Sequence, residues 1–457
     1  MKNKKILSVL LLAVIAAVAL PVSNLIIKPK PLAVLSSNAS GEFVEVAKIL
    51  EAKCTVCHIE GETLPFYAGF PIASGLIQAD IEMGLNHLDM AASLAPKEGQ
   101  PVPESTLAMI EFTATEDRMP PSHFLSMHWD GALSASEKET ILNWVAKSRA
   151  EHHRTEGVAE KFANEPVQPL PADHGQDPKI AALGDKMFHD VRLSGDNTLS
   201  CASCHGLDKG GTDQAPFSTG IDKQVGDINS PTVFNSGLQF VLFWDGRAPT
   251  LEAQADGPVN NPIEMGSNWE EAMGKLKGAT DVVEAYAQVF PDGLTPENVM
   301  ASIATFERTL LTPSRFDQYL RGEESAITDE EKKGYELFKD HACATCHCGP
   351  ALGGCSYERM GLKGDYFKDQ GDEVIKRDYG RFNVTANDRD RHRFKVPTLR
   401  NVALSFPYFH DASTTDLKEA VKTMAKYQSP KPLTDADADL VVAFLKSLTG
   451  QYNGQPL

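Results

Sequence analysis

The sequence Cys-x-x-Cys-His occurs three times in this chain of 457 residues, and no other feature limits the fold as strongly. The three copies are Cys54, Cys57 and His58; Cys201, Cys204 and His205; and Cys343, Cys346 and His347. Structural zinc sites need a second ligand pair at a short, fixed distance, whereas these copies are spread through the chain. The motif therefore predicts three c-type haems, each attached through two cysteines and ligated by one histidine.

Helical patterns surround the motifs and predict a mainly α fold. The segment FVEVAKILEAKC leads into the first motif with apolar residues at helical spacing. The segments GDKMFHD and GYELFKD, at 184–190 and 334–340, resemble each other ahead of the second and third motifs, which indicates an internal repeat. We predict three cytochrome c-like haem domains in series after an N-terminal hydrophobic helix, with domains at 40–154, 173–325 and 326–457 and a Pro-rich linker at 155–172.

The N-terminal segment has the composition of a targeting sequence. Lys2, Lys4 and Lys5 precede an uncharged run from Ile6 to Ile27, about the ~20 residues that a membrane helix requires. Residues 1–30 are therefore predicted to be a signal anchor or a cleaved signal peptide. Either reading predicts a periplasmic protein, and the anchor would hold it at the inner membrane. The formal net charge of −18 argues against a nucleic-acid partner.

The second axial ligand separates electron-transfer haems from catalytic ones, because a haem with histidine and methionine ligands has no free position. In the third unit Met424 is the predicted distal ligand, with Met360 as the other candidate. In the first unit the prediction is Met119, and the alternatives that the sequence leaves open are His87, His123 and His128.

The second unit lacks such a ligand. No methionine lies between His205 and Met265, and no histidine follows until His341. An open haem iron can bind a small oxidant. The downstream segment FWDGRAPTLEAQADGPVNNPIEM offers Gln254 and Glu264, and a carboxylate near the open position can move a proton between the two oxygens of a peroxide.

Several segments together resemble the bacterial dihaem cytochrome c peroxidase family. They are SCASCHG, SPTVFNS, FWDGRAPTLEAQADGPVNNPIEM, CATCH, KVPTLRNVALSFPYFHD and AVKTMAKYQ, within residues 173 to 450. The first unit, with CTVCH, LPFYAGFP and MPPSHFLSMHW, resembles the extra haem domain of membrane-anchored trihaem peroxidases. The resemblance implies reduction of hydrogen peroxide with electrons from quinol or a small cytochrome c.

The resemblance also implies residue roles. His205 would be the proximal ligand of the peroxidatic haem, Glu264 and Gln254 its acid and base, and Trp244 the residue between the two haems. His347 and Met424 would ligate the electron-transferring haem. A calcium ion would be bound by Asn229 and the carbonyl groups of Ser405 and Pro407.

Two features depart from the family pattern. Ile221 stands where many dihaem members carry a histidine that blocks the peroxidatic iron, so this chain is expected to need no prior reduction. Cys348 and Cys355 are extra thiols beside the third motif, and the sequence is compatible with a disulfide or with two free thiols.

These expectations predict a peroxidase. The alternative function is a multihaem electron-transfer cytochrome without catalysis, which would have three six-coordinate haems. A second alternative is a related oxidase that modifies a protein substrate, but such enzymes carry tyrosine where this chain has Met424.

Overall fold

The computed structural model describes residues 18–95, 100–371 and 373–457, and they form two compact units that divide between His152 and His153. The first unit is helical, and the second is helical with two short antiparallel ribbons. Because the second unit contains both of the motifs at His205 and His347, the segments that follow the first unit fold as one body.

The first unit packs its helices around a core that includes Val46, Leu50, Leu107 and Trp144. Asp89 caps the Met90–Leu94 helix by accepting a hydrogen bond from the amide of Ala92, as expected for an N-cap carboxylate. The α-helices of this unit are Phe43–Lys53, Thr55–His58, Pro71–His87, Met90–Leu94, Glu104–Thr115, Ser122–Met127 and Ala135–His152. Residues 18–26 are also helical.

The second unit has two main cores, one for each of its Cys-x-x-Cys-His segments. Strand Tyr357–Arg359 pairs antiparallel with Arg393–Lys395, and Gln451–Tyr452 pairs with Gln455–Pro456. The α-helices are Pro178–Phe188, Cys201–Cys204, Leu251–Asn260, Trp269–Lys277, Thr280–Ala287, Pro296–Thr309, Arg315–Leu320, Asp329–Asp340, Cys343–Cys346, Tyr366–Gln370, Phe382–Thr385, Leu417–Gln428 and Asp435–Ser447.

Two close helix crossings repeat the same geometry in the second unit. Gly184 packs directly on the backbone of the Pro296–Thr309 helix, and a Cβ atom there would overlap the carbonyl oxygen of Ser302. Gly334 packs in the same way on the Asp435–Ser447 helix, against the carbonyl oxygen of Leu440. These glycines are the first residues of GDKMFHD and GYELFKD. The similarity of the two segments therefore reflects the same need for a residue without a side chain at a close helix crossing.

The substitution Gly334→Ala is expected to destabilise the second unit by about 1–3 kcal/mol or more, because the new methyl group meets main-chain atoms that cannot rotate away. Gly274→Ala is the matched control, since Gly274 is exposed in the Trp269–Lys277 helix with no atom near its missing Cβ. Alanine is expected there to add a few tenths to about 1 kcal/mol. Thermal unfolding of the haem-loaded variants measures both effects, and equal midpoints would contradict the expectation.

The prediction of three domains in series after an N-terminal hydrophobic helix was wrong. The described residues form two compact units, because buried contacts such as the Asp317–Arg400 ion pair join the segments on either side of residue 325. Within residues 18–95, 100–371 and 373–457, no helix has the length and apolar character that a membrane crossing requires.

The described part of the N-terminal segment instead packs on other residues of the first unit. Asn24 is buried, and its side-chain amide donates hydrogen bonds to the carbonyl of Met127 at 2.8 Å and to the hydroxyl of Tyr67 at 3.2 Å. The uncharged run from Ile6 to Ile27 is thus interrupted at Asn24 by a polar side chain that bonds to protein groups. Residues 1–17 of the predicted anchor lie outside the described residues. The prediction that an N-terminal helix attaches the protein to the inner membrane was wrong, since no helix of the described residues is long and apolar enough to cross one.

Candidate active site and haem-binding segments

Each of the three Cys-x-x-Cys-His segments contains one short helical turn. Short helices at Cys201–Cys204 and Cys343–Cys346 place both cysteines of these motifs one turn apart, on one side of the helix, and in the first motif Cys54 is the N-cap of the Thr55–His58 helix, which contains Cys57. Burial raises the pKa of Cys54, Cys201 and Cys343 to about 12, so these sulfurs are neutral thiols in apolar surroundings. Such a pair suits thioether attachment to an apolar ring.

The histidine of each motif is oriented by a backbone carbonyl group. The Nδ1 atoms of His58, His205 and His347 lie 2.8, 3.3 and 3.2 Å from the carbonyl oxygens of Leu88, Gly211 and Leu352. A carbonyl only accepts, so Nδ1 carries the proton and Nε2 keeps the lone pair that a metal ligand needs. Burial lowers the pKa of all three imidazoles, that of His347 to about 4. The segments therefore fit haem iron.

Lys395 gives an independent test of whether a haem fits the second unit. Its side chain is 4% exposed, and burial lowers its pKa to about 8. Its ammonium group donates to the side-chain oxygen of Gln239, and no carboxylate of the described residues forms an ion pair with it. A buried charge without a counter-charge is costly, and a haem propionate would supply the missing negative charge. The backbone amide of Lys395 also bonds the carbonyl of Trp244 at 2.8 Å.

Glu264 lies in the loop that follows the Leu251–Asn260 helix. Its Oε1 accepts a hydrogen bond of 2.7 Å from the side-chain amide of Asn261. Burial raises the pKa of Glu264, although the bond from Asn261 and the charge of Arg247 act in the opposite direction. Burial is the main cause of a raised pKa of Cys204, and the charges of Asp213 and then Glu264 raise it further, so the Glu264 carboxyl acts electrostatically on the second motif.

Ile221 packs beside Glu264. The amide of Ile221 donates a 2.8 Å hydrogen bond to the backbone carbonyl of Glu264, and a Cβ at Gly220 would overlap the neighbouring carbonyl of Ile263. The loop with Ile221, where the sequence analysis noted an apolar side chain in place of a histidine, therefore packs directly on the loop with Glu264.

Gln254 is half-buried in the helix capped by Thr250. Among the described residues its side chain has no hydrogen-bond partner, so it is not joined to Glu264 directly. Asn261 was missed by the sequence analysis. The signal was available, because Asn261 stands three residues before Glu264 in the same segment.

Trp244 and Met424 contact one apolar cluster, formed by Met360, Tyr366, Phe367, Phe394 and Tyr427. Trp244 packs edge-on against Phe394 and His410, with ring centroids 6.3 and 6.2 Å away. Its indole NH donates to the carbonyl of Asn229 at 2.8 Å. Met360 is one of the buried residues of this cluster, so both candidate sulfur ligands of the third unit lie in one region.

The candidate distal ligands of the first unit have different surroundings. Met119 is 37% exposed. The Nε2 of His123 bonds the carboxylate of Asp80 at 2.9 Å, and that of His128 bonds the hydroxyl of Tyr67 at 2.7 Å. The Nδ1 of His87 bonds the carbonyl of Met83 within its own helix. These contacts occupy nitrogens of His123 and His128 that a haem iron would need.

The candidate calcium ligands lie on adjoining loops. Asn229 is buried, its backbone amide bonds the carbonyl of His410, and its side-chain NH₂ bonds the carbonyls of Ala215 and Pro216. Ser405 and Pro407 lie in the segment that leads to His410. The side chain of Ser405 bonds the carbonyl of Val402. No group of three or more His, Cys, Asp or Glu side chains suited to a metal ion occurs among the described residues.

Three family models match the chain in succession. Residues 26–147 match a haem-binding domain, residues 178–325 match a di-haem cytochrome c peroxidase model, and residues 331–449 match cytochrome c. Only one segment thus matches cytochrome c itself, which corrects the prediction of three such domains. The first unit differs physically in that the carbonyl partner of its motif histidine, Leu88, is supplied from beyond the Pro71–His87 helix.

Curated relatives and solved structures extend this similarity. The chain is 45% identical over 425 residues to the cytochrome c peroxidase of Escherichia coli K12, covering 92% of this chain and 90% of the relative. It is 44% identical over 290 residues to the cytochrome c551 peroxidase of Nitrosomonas europaea, covering 63% and 85%. A crystal structure of a MauG-like protein associated with microbial copper homeostasis shares 27% identity and a TM-score of 0.55, over 63% of this chain and 93% of that one.

Proposed function

The chain belongs to the bacterial di-haem cytochrome c peroxidase family and is a haem c-dependent peroxidase, and we propose that hydrogen peroxide is reduced at a haem held by His205. The observation that carries this proposal is the position of Glu264, a partly buried carboxyl with a raised pKa on a loop packed against Ile221. The sequence between His205 and Met265 contains no methionine or histidine that could be a second ligand of that haem.

A haem bound at His205 would supply an open coordination position and the electrons for cleavage of the peroxide bond. Glu264 accepts the proton of the inner oxygen and returns it to the outer oxygen, which then leaves as water. Asn261 holds the carboxyl in place through its side-chain amide. Gln254, whose side chain has no partner among the described residues, is proposed to orient the peroxide by hydrogen bonding.

We propose that all three motifs bind haem c and that the haems at His58 and His347 serve electron transfer. Met424 is the proposed distal ligand opposite His347, and Met119 is the proposed ligand opposite His58. Trp244 is the proposed contact between the two haems of the second unit. Two contacts of Trp244 support this role. Trp244 packs on the same apolar cluster as Met424, and its indole NH bonds Asn229, which in turn bonds the loop that follows His205.

The electron paramagnetic resonance spectrum of the fully ferric protein tests the open site. We expect one high-spin and two low-spin centres, because Ile221 cannot ligate iron while methionine and histidine ligate the other two. Added peroxide is expected to change the high-spin signal without prior reduction. Three low-spin signals would contradict the proposal and favour an electron-transfer cytochrome without catalysis.

The electron donor is proposed to be quinol or a small cytochrome c. Steady-state peroxide reduction with a reduced quinol analogue, compared with reduced cytochrome c, distinguishes the two donors. A calcium ion at Asn229, Ser405 and Pro407 is a separate proposal, based on neutral oxygen ligands of the kind that this cation accepts. Loss of activity after chelation, restored by calcium alone, would support it, and unchanged activity would contradict it.

A further inference from the structure

Cys348 and Cys355 are the two cysteines that no Cys-x-x-Cys-His motif uses, and the fold brings their sulfur atoms together. The two Sγ atoms lie 3.0 Å apart, and no disulfide bond joins them. A disulfide needs sulfurs at ~2.05 Å, so about 1 Å of movement separates contact from bond. We propose that hydrogen peroxide converts this pair into a disulfide. The disulfide would close the loop of residues 348–355, which directly follows the third Cys-x-x-Cys-His motif.

The backbone of the loop holds the sulfurs near each other. The amide of Gly353 donates to the carbonyl of Cys348 at 3.0 Å, which turns the chain back on itself. Gly353 and Gly354 both have positive φ angles, of 135° and 69°, which side-chain-bearing residues rarely adopt. Gly354 is further bonded to Val396 and Phe240. The approach of the sulfurs is therefore part of the fold.

The loop closed by this pair contains the group that orients His347. Nδ1 of His347 bonds the carbonyl of Leu352 at 3.2 Å, and the same carbonyl accepts the amide of Leu399 at 3.1 Å. Leu352 lies between Cys348 and Cys355. Because such partners fix ring orientation and ligand basicity, a covalent link across the loop acts on the ligand through this carbonyl.

The oxidation balances with the enzyme's own substrate as oxidant. The half-exposed Cys355 thiol reacts with hydrogen peroxide to form a sulfenic acid and water. The thiol of the buried Cys348 then attacks that sulfur, forming the S–S bond and releasing a second water. Two thiols lose two electrons and two protons, and one peroxide becomes two waters.

Differential alkylation of the haem-loaded full chain tests the proposal. After exposure to peroxide, acid quenching and treatment with iodoacetamide, the peptide with Cys348 and Cys355 is expected to carry no carbamidomethyl group and to weigh two hydrogens less than the dithiol. After reduction both cysteines should be alkylated. Alkylation of both after peroxide, or sulfinic acid in place of the disulfide, would overturn the proposal. This readout does not depend on turnover, so it remains informative if the proposed catalytic roles fail.

A second measurement addresses the effect on His347, and it rests on the proposed role of this residue as a haem ligand. The midpoint potential of the third haem is expected to be lower in the disulfide form than in the dithiol form, because a fixed Leu352 carbonyl increases imidazole donation to ferric iron. The double variant Cys348→Ser with Cys355→Ser is expected to show one potential under both treatments. Equal potentials in the wild-type forms would overturn the link to His347.

Discussion

Replacing Glu264 by Gln is expected to reduce peroxide turnover by about 10²- to 10⁴-fold, the usual contribution of a positioned acid–base group. Glutamine has nearly the same size, and its side-chain oxygen can still accept the hydrogen bond from Asn261. It cannot take up or release the proton. The haem absorption spectra should therefore stay the same while kcat falls.

Glu270→Gln is the matched control, since Glu270 is an exposed carboxylate at the start of the next helix. Its steady-state rate should equal that of the wild type. A Glu264→Gln variant with the wild-type rate would remove the proposed proton carrier, whereas loss of haem from the variant would indicate a structural role.

The pH profile follows from the same residue. The carboxylate form is needed to accept a proton, and burial raises the pKa of Glu264 above the ordinary value of 4.5. Activity is therefore expected to fall on acidification at a higher pH than for an exposed glutamate. Glu264→Gln should lack this acid limb in its residual rate.

The substitution Asp317→Asn is expected to destabilise the second unit by about 3–5 kcal/mol, because it leaves a buried guanidinium without its counter-charge. Arg400 is fully buried, and its Nη1 bonds Asp317 Oδ2 at 2.6 Å. Burial alone would raise the pKa of Asp317, but the charge and hydrogen bonds of Arg400 hold it below the usual range. The carboxylate therefore stabilises the fold above its unfolded pKa, and this stabilisation is lost as the pH falls.

Asp329→Asn provides the comparison, because that side chain is 94% exposed and its pair with Lys332 is a surface contact worth about 0–1 kcal/mol. Thermal unfolding at neutral pH should separate the two variants by many degrees, and the gap should narrow in acid. Similar midpoints at neutral pH would show that the Arg400 charge finds another partner.

Local sequence predicted the parts of the site that depend on short spacing. Neighbouring residues alone were enough to predict the three motifs with their histidines and the repeated glycine at Gly184 and Gly334. In the structure each motif has a short helical turn, and the two glycines have the same close helix contact. The position of Glu264 near the second segment came from resemblance, because periodicity does not indicate which loop carboxylate is buried.

Other features depend on contacts between distant residues. Lysine and arginine are residue types expected at the surface, and nothing in the sequence distinguishes Lys395 and Arg400 from the others. Both are nevertheless buried. The membrane prediction failed for a related reason. The apolar run in the sequence gives only the average polarity of the segment. The buried side-chain amide of Asn24 shows that one face of the segment packs on protein.

The carbonyl partners of the motif histidines differ in the length of chain that they close. His205 and His347 use carbonyls six and five residues away, whereas His58 uses one thirty residues away. Closing the longer loop costs about 1.6 kcal/mol more in chain entropy than closing the shortest. The imidazole at His58 should consequently be the first to lose its orientation on mild warming. If a haem is bound there as proposed, its ligand field would be an early reporter of partial unfolding.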